Sequence, residues 1–116
     1  MQIDIRGVEM QLTDEIRSYT TEKVSKFSKY EKRIVGIDVG LEENHNKNED
    51  SAAKAKALIK IPGKDIEAIG EGETIFAAID AMEEHGRRQL LEHKEKFANK
   101  EQSSRSRRLI RKLFGK

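Results

Sequence analysis

Ile34-Val35-Gly36-Ile37-Asp38-Val39-Gly40-Leu41, followed after a polar interval by Ala53-Lys54-Ala55-Lys56-Ala57-Leu58-Ile59-Lys60-Ile61, is the stretch from which the fold can be read. Both segments alternate with a period of two, the repeat of a β-strand whose successive side chains point to opposite faces. In the first, Val35, Ile37, Val39 and Leu41 share one side while Gly36, Asp38 and Gly40 share the other. In the second, Ala53, Ala55, Ala57, Ile59 and Ile61 oppose Lys54, Lys56, Leu58 and Lys60. One apolar face per strand predicts a sheet covered on one side and wet on the other. The alternate alanines leave room for a helix to come close. Glu42 to Ser51, polar and Asn-rich, reads as a mobile hairpin loop between the two strands. Pro62-Gly63-Lys64 supplies a turn, after which Asp65 to Gly70 returns as a short strand.

Outward from this centre the period changes. Gln2 to Met10 opens with Ile3 and Ile5 on one face, a half-buried strand with a bulge expected at Gly7. Thr13 then stands as N-cap before Asp14 and Glu15, acids that complement the positive end of a helix dipole. That helix is expected to run to about Tyr30, with Ile16, Tyr19, Val24, Phe27 and Tyr30 on its packed face and Lys23, Lys26, Lys29 and Arg33 on another line. A second helix is expected from after Gly72 to about Phe97, its core stripe being Ile75, Ala78, Ile79, Met82, Gly86, Leu90 and Phe97. Along it Asp80, Glu83 and Glu84 precede Arg87, Arg88, Lys94 and Lys96, the charge order that the macrodipole favours. The order β-α-β-β-β-α predicts an α+β sandwich with two helices on one face of a four-stranded, mostly antiparallel sheet.

The 116 residues suit one compact domain, residues 1–97, with residues 98–116 as a basic and flexible tail. The absence of cysteine excludes disulfides and thiolate chemistry together. No apolar run approaches the roughly 20 residues that span a bilayer, and the first residues lack the basic-then-apolar order of an export signal. The expectation is a soluble, unexported, cytoplasmic protein. A net charge of +2 conceals an asymmetry: Ala98 to Lys116 carries seven cations and one acid, so it stands at +6 and leaves the remainder at −4. Such a basic segment on a mildly acidic domain suits contact with a polyanion.

Nothing in the chain assembles an active site. His45 lies among Glu42, Glu43, Glu49 and Asp50 in the polar loop, and a solvated loop is the better reading than a cation site. His85 and His93 are eight apart on one helix, too far to chelate one metal, and His93 falls on the core-facing stripe. Gly70-Glu71-Gly72-Glu73-Thr74 lacks the lysine of a phosphate loop and reads as a turn. Glu83 and Glu84 are solvated neighbours, and no serine or threonine has histidine and acid partners. No cofactor, metal or small-molecule substrate is expected. What remains is basic surface: Lys23, Lys26 and Lys29 can converge with Arg88 and Lys94 into a phosphate-binding ridge if the helices pack side by side. With most aromatics committed to the core, recognition of RNA shape and backbone is expected rather than of base sequence.

Met1 to Thr13, the segment Leu12 to Tyr30, Pro62-Gly63, and above all Ala77-Ala78-Ile79-Asp80 followed by Arg88-Gln89-Leu90 and Lys94-Glu95-Lys96 resemble the ribosome hibernation-promoting factor and ribosome-associated inhibitor A family over about residues 1–97. The resemblance implies the same β-α-β-β-β-α fold, similar to the double-stranded RNA-binding domain. It implies binding in the small ribosomal subunit's channel, in competition with messenger and transfer RNA, and inhibition of translation by occupancy. Lys23 and Lys26 match basic positions of the family's first helix, and Arg88, Lys94 and Lys96 those of its last. His85 and Glu92 stand where lysines are usual, and Gly86 replaces a large apolar residue. Gly86 is expected to cost about 1 kcal/mol in helix propensity and to leave space beside Met82. A short-type factor, monomeric off the ribosome, is implied.

The tail is expected to fold on its partner, with Arg107, Arg108 and Arg111 on phosphates and the pairs Leu109-Ile110 and Leu113-Phe114 against a protein or base. Two other functions fit the residues: a general double-stranded RNA-binding module, and attachment to a membrane surface or partner helix through this basic amphipathic tail.

Overall fold

The computed structural model describes the backbone of residues 1–43 and 52–114 and the side chains of residues 1–43 and 52–94. The expectations for His45 and for the loop at residues 44–51 lie outside the described residues. The order is β1 (Gln2–Val8), α1 (Asp14–Ser25), a 3-10 turn (Lys26–Lys29), β2 (Gly36–Glu43), β3 (Ala53–Ile61), β4 (Lys64–Gly72) and α2 (Ile75–Phe114). The four strands form one sheet in the order β1-β2-β3-β4. β1 runs parallel to β2, with Ile3 beside Ile37 and Ile5 beside Val39, and the other two pairings are antiparallel.

The alternating residues sort as their period demands. Ile37, Val39, Leu41, Ala53, Ala55, Ala57, Ile59, Ile61, Ile66 and Ala68 are all buried beneath the helices, together with Ile16, Val24, Phe27, Ile75, Ala78, Ile79, Met82 and Leu90. Val35 is an exception. The strand begins at Gly36, and Val35 is 63% exposed although its amide still donates to the Lys60 carbonyl at 2.8 Å. β4 is longer than the expected Asp65 to Gly70 because Lys64, Glu71 and Gly72 belong to it rather than to the flanking turns. A Cβ on Gly70 would lie 2.2 Å from the Met82 backbone nitrogen and 2.3 Å from the Ala78 carbonyl oxygen. These glycines let α2 lie almost on the sheet. Gly7 makes no bulge; it pairs in register with Leu41, and a Cβ there would meet the Met10 carbonyl at 2.9 Å.

Thr13 caps α1 as expected, its hydroxyl accepting from the Ile16 amide at 3.2 Å. Thr74 does the same for α2, accepting from Ala77 at 3.1 Å. The first helix ends at Ser25 rather than Tyr30, and the chain tightens into the 3-10 turn. Ser25 and Ser28 turn their hydroxyls back onto the Thr21 and Ser25 carbonyls, competing with the α-helical ladder. The second helix does not stop near Phe97 but continues to Phe114. No glycine or proline interrupts the sequence between Gly86 and Gly115, and Glu, Lys, Gln, Arg and Leu are good helix formers.

Candidate nucleic-acid interface

Three cross-helix contacts define how α1 and α2 lie. The Tyr19 and Phe76 rings meet edge to face with centroids 5.0 Å apart. The Lys23 ammonium is 3.2 Å from the Asp80 carboxylate. Phe27 packs on Gly86, at which a Cβ would be 2.5 Å from the ring. Both residue numbers rise together through 19, 23 and 27 and through 76, 80 and 86. The helices therefore run side by side in the same direction, so their last turns end on the same side of the domain. Gly86 leaves no empty space beside Met82, contrary to the sequence expectation; the Phe27 ring occupies it.

The joint between them is polar at the surface. The Tyr19 hydroxyl donates to Asp80 at 2.5 Å, and the Lys23 ammonium also stands 5.4 Å from the Tyr19 ring centre. The Tyr19 hydrogen bond holds the Asp80 carboxyl below its ordinary value, with Lys23 and Lys26 acting in the same direction against partial burial. Asp80 in turn raises Lys23 and Tyr19 through the same bonds. Lys23 is thus a clasp between helices, with a side chain only 24% exposed. Asp80 and Tyr19 carry this role, which sequence reasoning missed; the signal available was Tyr19 and Lys23 one turn apart on one side of a helix.

Past the clasp the surface becomes basic. On a helix of 3.6 residues per turn, Arg87 and Lys94 follow Asp80 along nearly the same line, at intervals of seven residues. Both are exposed, as is Lys29 at the end of the 3-10 turn, and Lys26 is half-buried close enough to bear on Asp80. Among the described residues Lys26, Lys29, Arg87 and Lys94 have no salt-bridge partner. Arg88 is turned further round the helix and reaches Glu84 one turn back at 3.6 Å. Side chains from residue 95 onward, including Lys96, Arg107, Arg108 and Arg111, lie outside the described residues. The structure thus gathers Lys26, Lys29, Arg87 and Lys94 on one side and assigns Lys23 to Asp80 and Arg88 to Glu84.

The opposite face of the sheet is different. Lys54 pairs with Glu71 at 3.5 Å, Lys56 with Glu67 at 3.5 Å and Lys60 with Asp38 at 2.8 Å. Its lysines stand in water but face acids across the strands. Beside α2, His85 Nδ1 lies 2.5 Å from the Ile69 carbonyl oxygen and the Gln89 amide donates to that of Glu67 at 2.8 Å, so both side chains shield the β4 edge. His93 is half-buried near Glu31, whose carboxyl is held low chiefly by a bidentate pair with Arg33.

Comparison with known proteins places this arrangement. Residues 3–98 match the family model described as Sigma 54 modulation protein / S30EA ribosomal protein. The ribosome hibernation promoting factor of Azotobacter vinelandii is 32% identical over 105 residues, covering 90% of this chain and 94% of that one. That of Escherichia coli K12 is 33% identical over 97 residues, covering 84% and 97%. Among solved structures, a ribosomal subunit interface protein from Coxiella burnetii superposes with a TM-score of 0.72 at 22% identity, covering 82% of this chain and 99% of that one. The N-terminal domain of Thermus thermophilus Protein Y gives 0.64 at 23% identity, covering 79% and 94%. The chain therefore belongs to the Sigma 54 modulation protein / S30EA ribosomal protein family, that of the ribosome hibernation promoting factors.

Proposed function

We propose that this chain is a ribosome hibernation factor that docks the shared basic side of its two helices on ribosomal RNA in the messenger and transfer RNA channel of the small subunit. Translation stops because the channel is occupied, and no bond is made or broken. The observation that carries this reading is the gathering of Lys26, Lys29, Arg87 and Lys94 without acidic partners among the described residues, while the three β3 lysines on the uncovered face, Lys54, Lys56 and Lys60, are each paired. At these four cations phosphates displace no ion-paired acid among the described residues, whereas at Lys54, Lys56 and Lys60 they would have to compete with Glu71, Glu67 and Asp38. The extension of α2 beyond residue 97 adds the cations of the basic segment to the same interface, in line with the side on which α2 leaves the domain.

The test is co-sedimentation with small subunits across a salt series, beside free duplex RNA and anionic vesicles. Binding is expected to fall linearly as log K against log salt, and to be competed by initiator transfer RNA with messenger RNA. Lys29→Glu with Arg87→Glu is the informative variant, because both side chains are exposed and reversal there leaves the clasp intact. Loss of pelleting with an unchanged circular dichroism spectrum is the expected result. Full binding by the folded double variant, or stable binding together with both RNAs, would falsify the assignment.

A further inference from the structure

The two edges of the sheet are treated differently. At β4, His85 and Gln89 cover the carbonyls of Ile69 and Glu67. At β1 no side chain does this among the described residues. The Gln2 amide points inward, to the Val35 carbonyl at 3.3 Å, so by strand alternation the N–H and C=O groups of Ile3, Ile5 and Gly7 point away from β2. The chain after β1 does not cross this edge: Glu9, at φ 55°, turns it so that Met10 and Leu12 lie where the Gly7 Cβ would be, on the helix-covered face. An open strand edge is a template for another strand.

The side chains of β1 select which strand. Asp4 and Arg6 project from the uncovered face, and neither has a salt-bridge partner among the described residues. Asp4 stands in register beside a second acid, Asp38, whose own partner is Lys60. Ile3 and Ile5, on the other face, are only half-buried. A second β1 laid antiparallel and centred on Ile5 answers each of these. Asp4 then faces Arg6 of the second copy and Arg6 faces its Asp4, while Ile5 meets Ile5 across the two-fold axis. Ile3 meets Gly7, where Leu12 extends the apolar cover. The residues placed opposite one another at 3 and 7 and at 5 and 5 are those whose backbone groups point outward, so their hydrogen bonds form in closely spaced pairs. Shifting the centre to Asp4 would instead set Asp4 against Asp4.

We propose that the free edge of β1 is a self-docking surface, on which β1 of a second copy of this chain pairs antiparallel in the register that sets Asp4 opposite Arg6. The proposal stands apart from the ribosomal reading. A seven-residue edge falls short of the roughly 1,200–2,000 Å² of a stable complex, so the pairing is weak and appears as the concentration rises. It modifies the expectation of a monomer in that range only.

Sedimentation velocity on the full chain from about 10 μM to about 1 mM should show a reversible monomer–dimer equilibrium, with the amides of Ile3, Ile5 and Gly7 gaining exchange protection as the dimer fills. Arg6→Asp sets acid against acid at both pairs and is expected to weaken dimerisation at least about tenfold, and Asp4→Arg with Arg6→Asp to restore it. Circular dichroism confirms that each variant is folded. A chain that stays monomeric throughout, a dimer indifferent to Arg6→Asp, or a charge-swapped variant that does not recover would each overturn the proposal.

Discussion

Gly86→Ala is a substitution for which helix propensity and packing give opposite signs. In a helix interior, alanine is favoured over glycine by about 0.8–1 kcal/mol. Here the new methyl would stand 2.5 Å from Cζ and 2.7 Å from Cε1 of Phe27, where carbon atoms normally rest at about 3.5–4.0 Å. Something must move by about 1 Å. The ring is fully buried and cannot swing into solvent, and the Ala68 methyl is only 3.3 Å from the same Cβ on the other side. Overpacking of this kind costs roughly 1–3 kcal/mol, so a net loss of about 1 kcal/mol is expected after the propensity gain is credited. For a domain of this size that lowers the thermal midpoint by about 4–8 °C. Urea unfolding followed by far-ultraviolet circular dichroism on Gly86→Ala, Phe27→Leu and the double variant completes a cycle. The two changes should couple favourably by about 1 kcal/mol or more, because the smaller side chain makes way for the methyl. If Gly86→Ala stabilises by the propensity increment, or the two effects simply add, the seating of Phe27 on Gly86 is not what holds the helices together.

Gly70→Ala should leave no folded protein in the soluble fraction, since its Cβ collides with the α2 backbone, whereas Gly40→Ala, with open space around it, should shift stability by no more than about 0.5 kcal/mol. Asp80 and Glu31 both have native carboxyls below their ordinary values of 3.8 and 4.5. Their contributions are therefore complete above those values and lost as the pH falls through the lower native ones. Asp80→Asn should flatten, but not abolish, the acid limb of a stability–pH curve, the residue being due to Glu31; an unchanged limb would dismiss the clasp. Deleting residues 99–116 should weaken small-subunit binding and reduce its salt slope while competition with transfer RNA persists. An identical affinity and slope would remove that segment from the interface.

Much of this architecture is legible in one dimension. The period of two in Ile37-Val39-Leu41 and in Ala53 to Ile61 is a property of each strand alone, and a strand with one apolar face has one way to satisfy it. The stripe from Ile75 through Met82 to Leu90 likewise marks the buried side of α2 without reference to what it meets. Thr13 as a cap is local chemistry, complete within four residues. Even the concentration of cations toward the ends of both helices is visible before folding.

Pairings between distant residues are not carried by periodicity. Lys23 reads as one lysine among several until Asp80, fifty-seven positions away, takes it out of the unpaired basic set and makes it a clasp. Gly86 looks like a flaw in a helix until the ring of Phe27 lies against it, and Gly70 like no more than the end of a strand until α2 descends onto it. In each case the deciding quantity is a distance of closest approach between two backbones or between a backbone and a ring. A sequence pattern records which side of an element is apolar; how near its neighbour comes, and which charges that nearness neutralises, depends on every packed side chain between them.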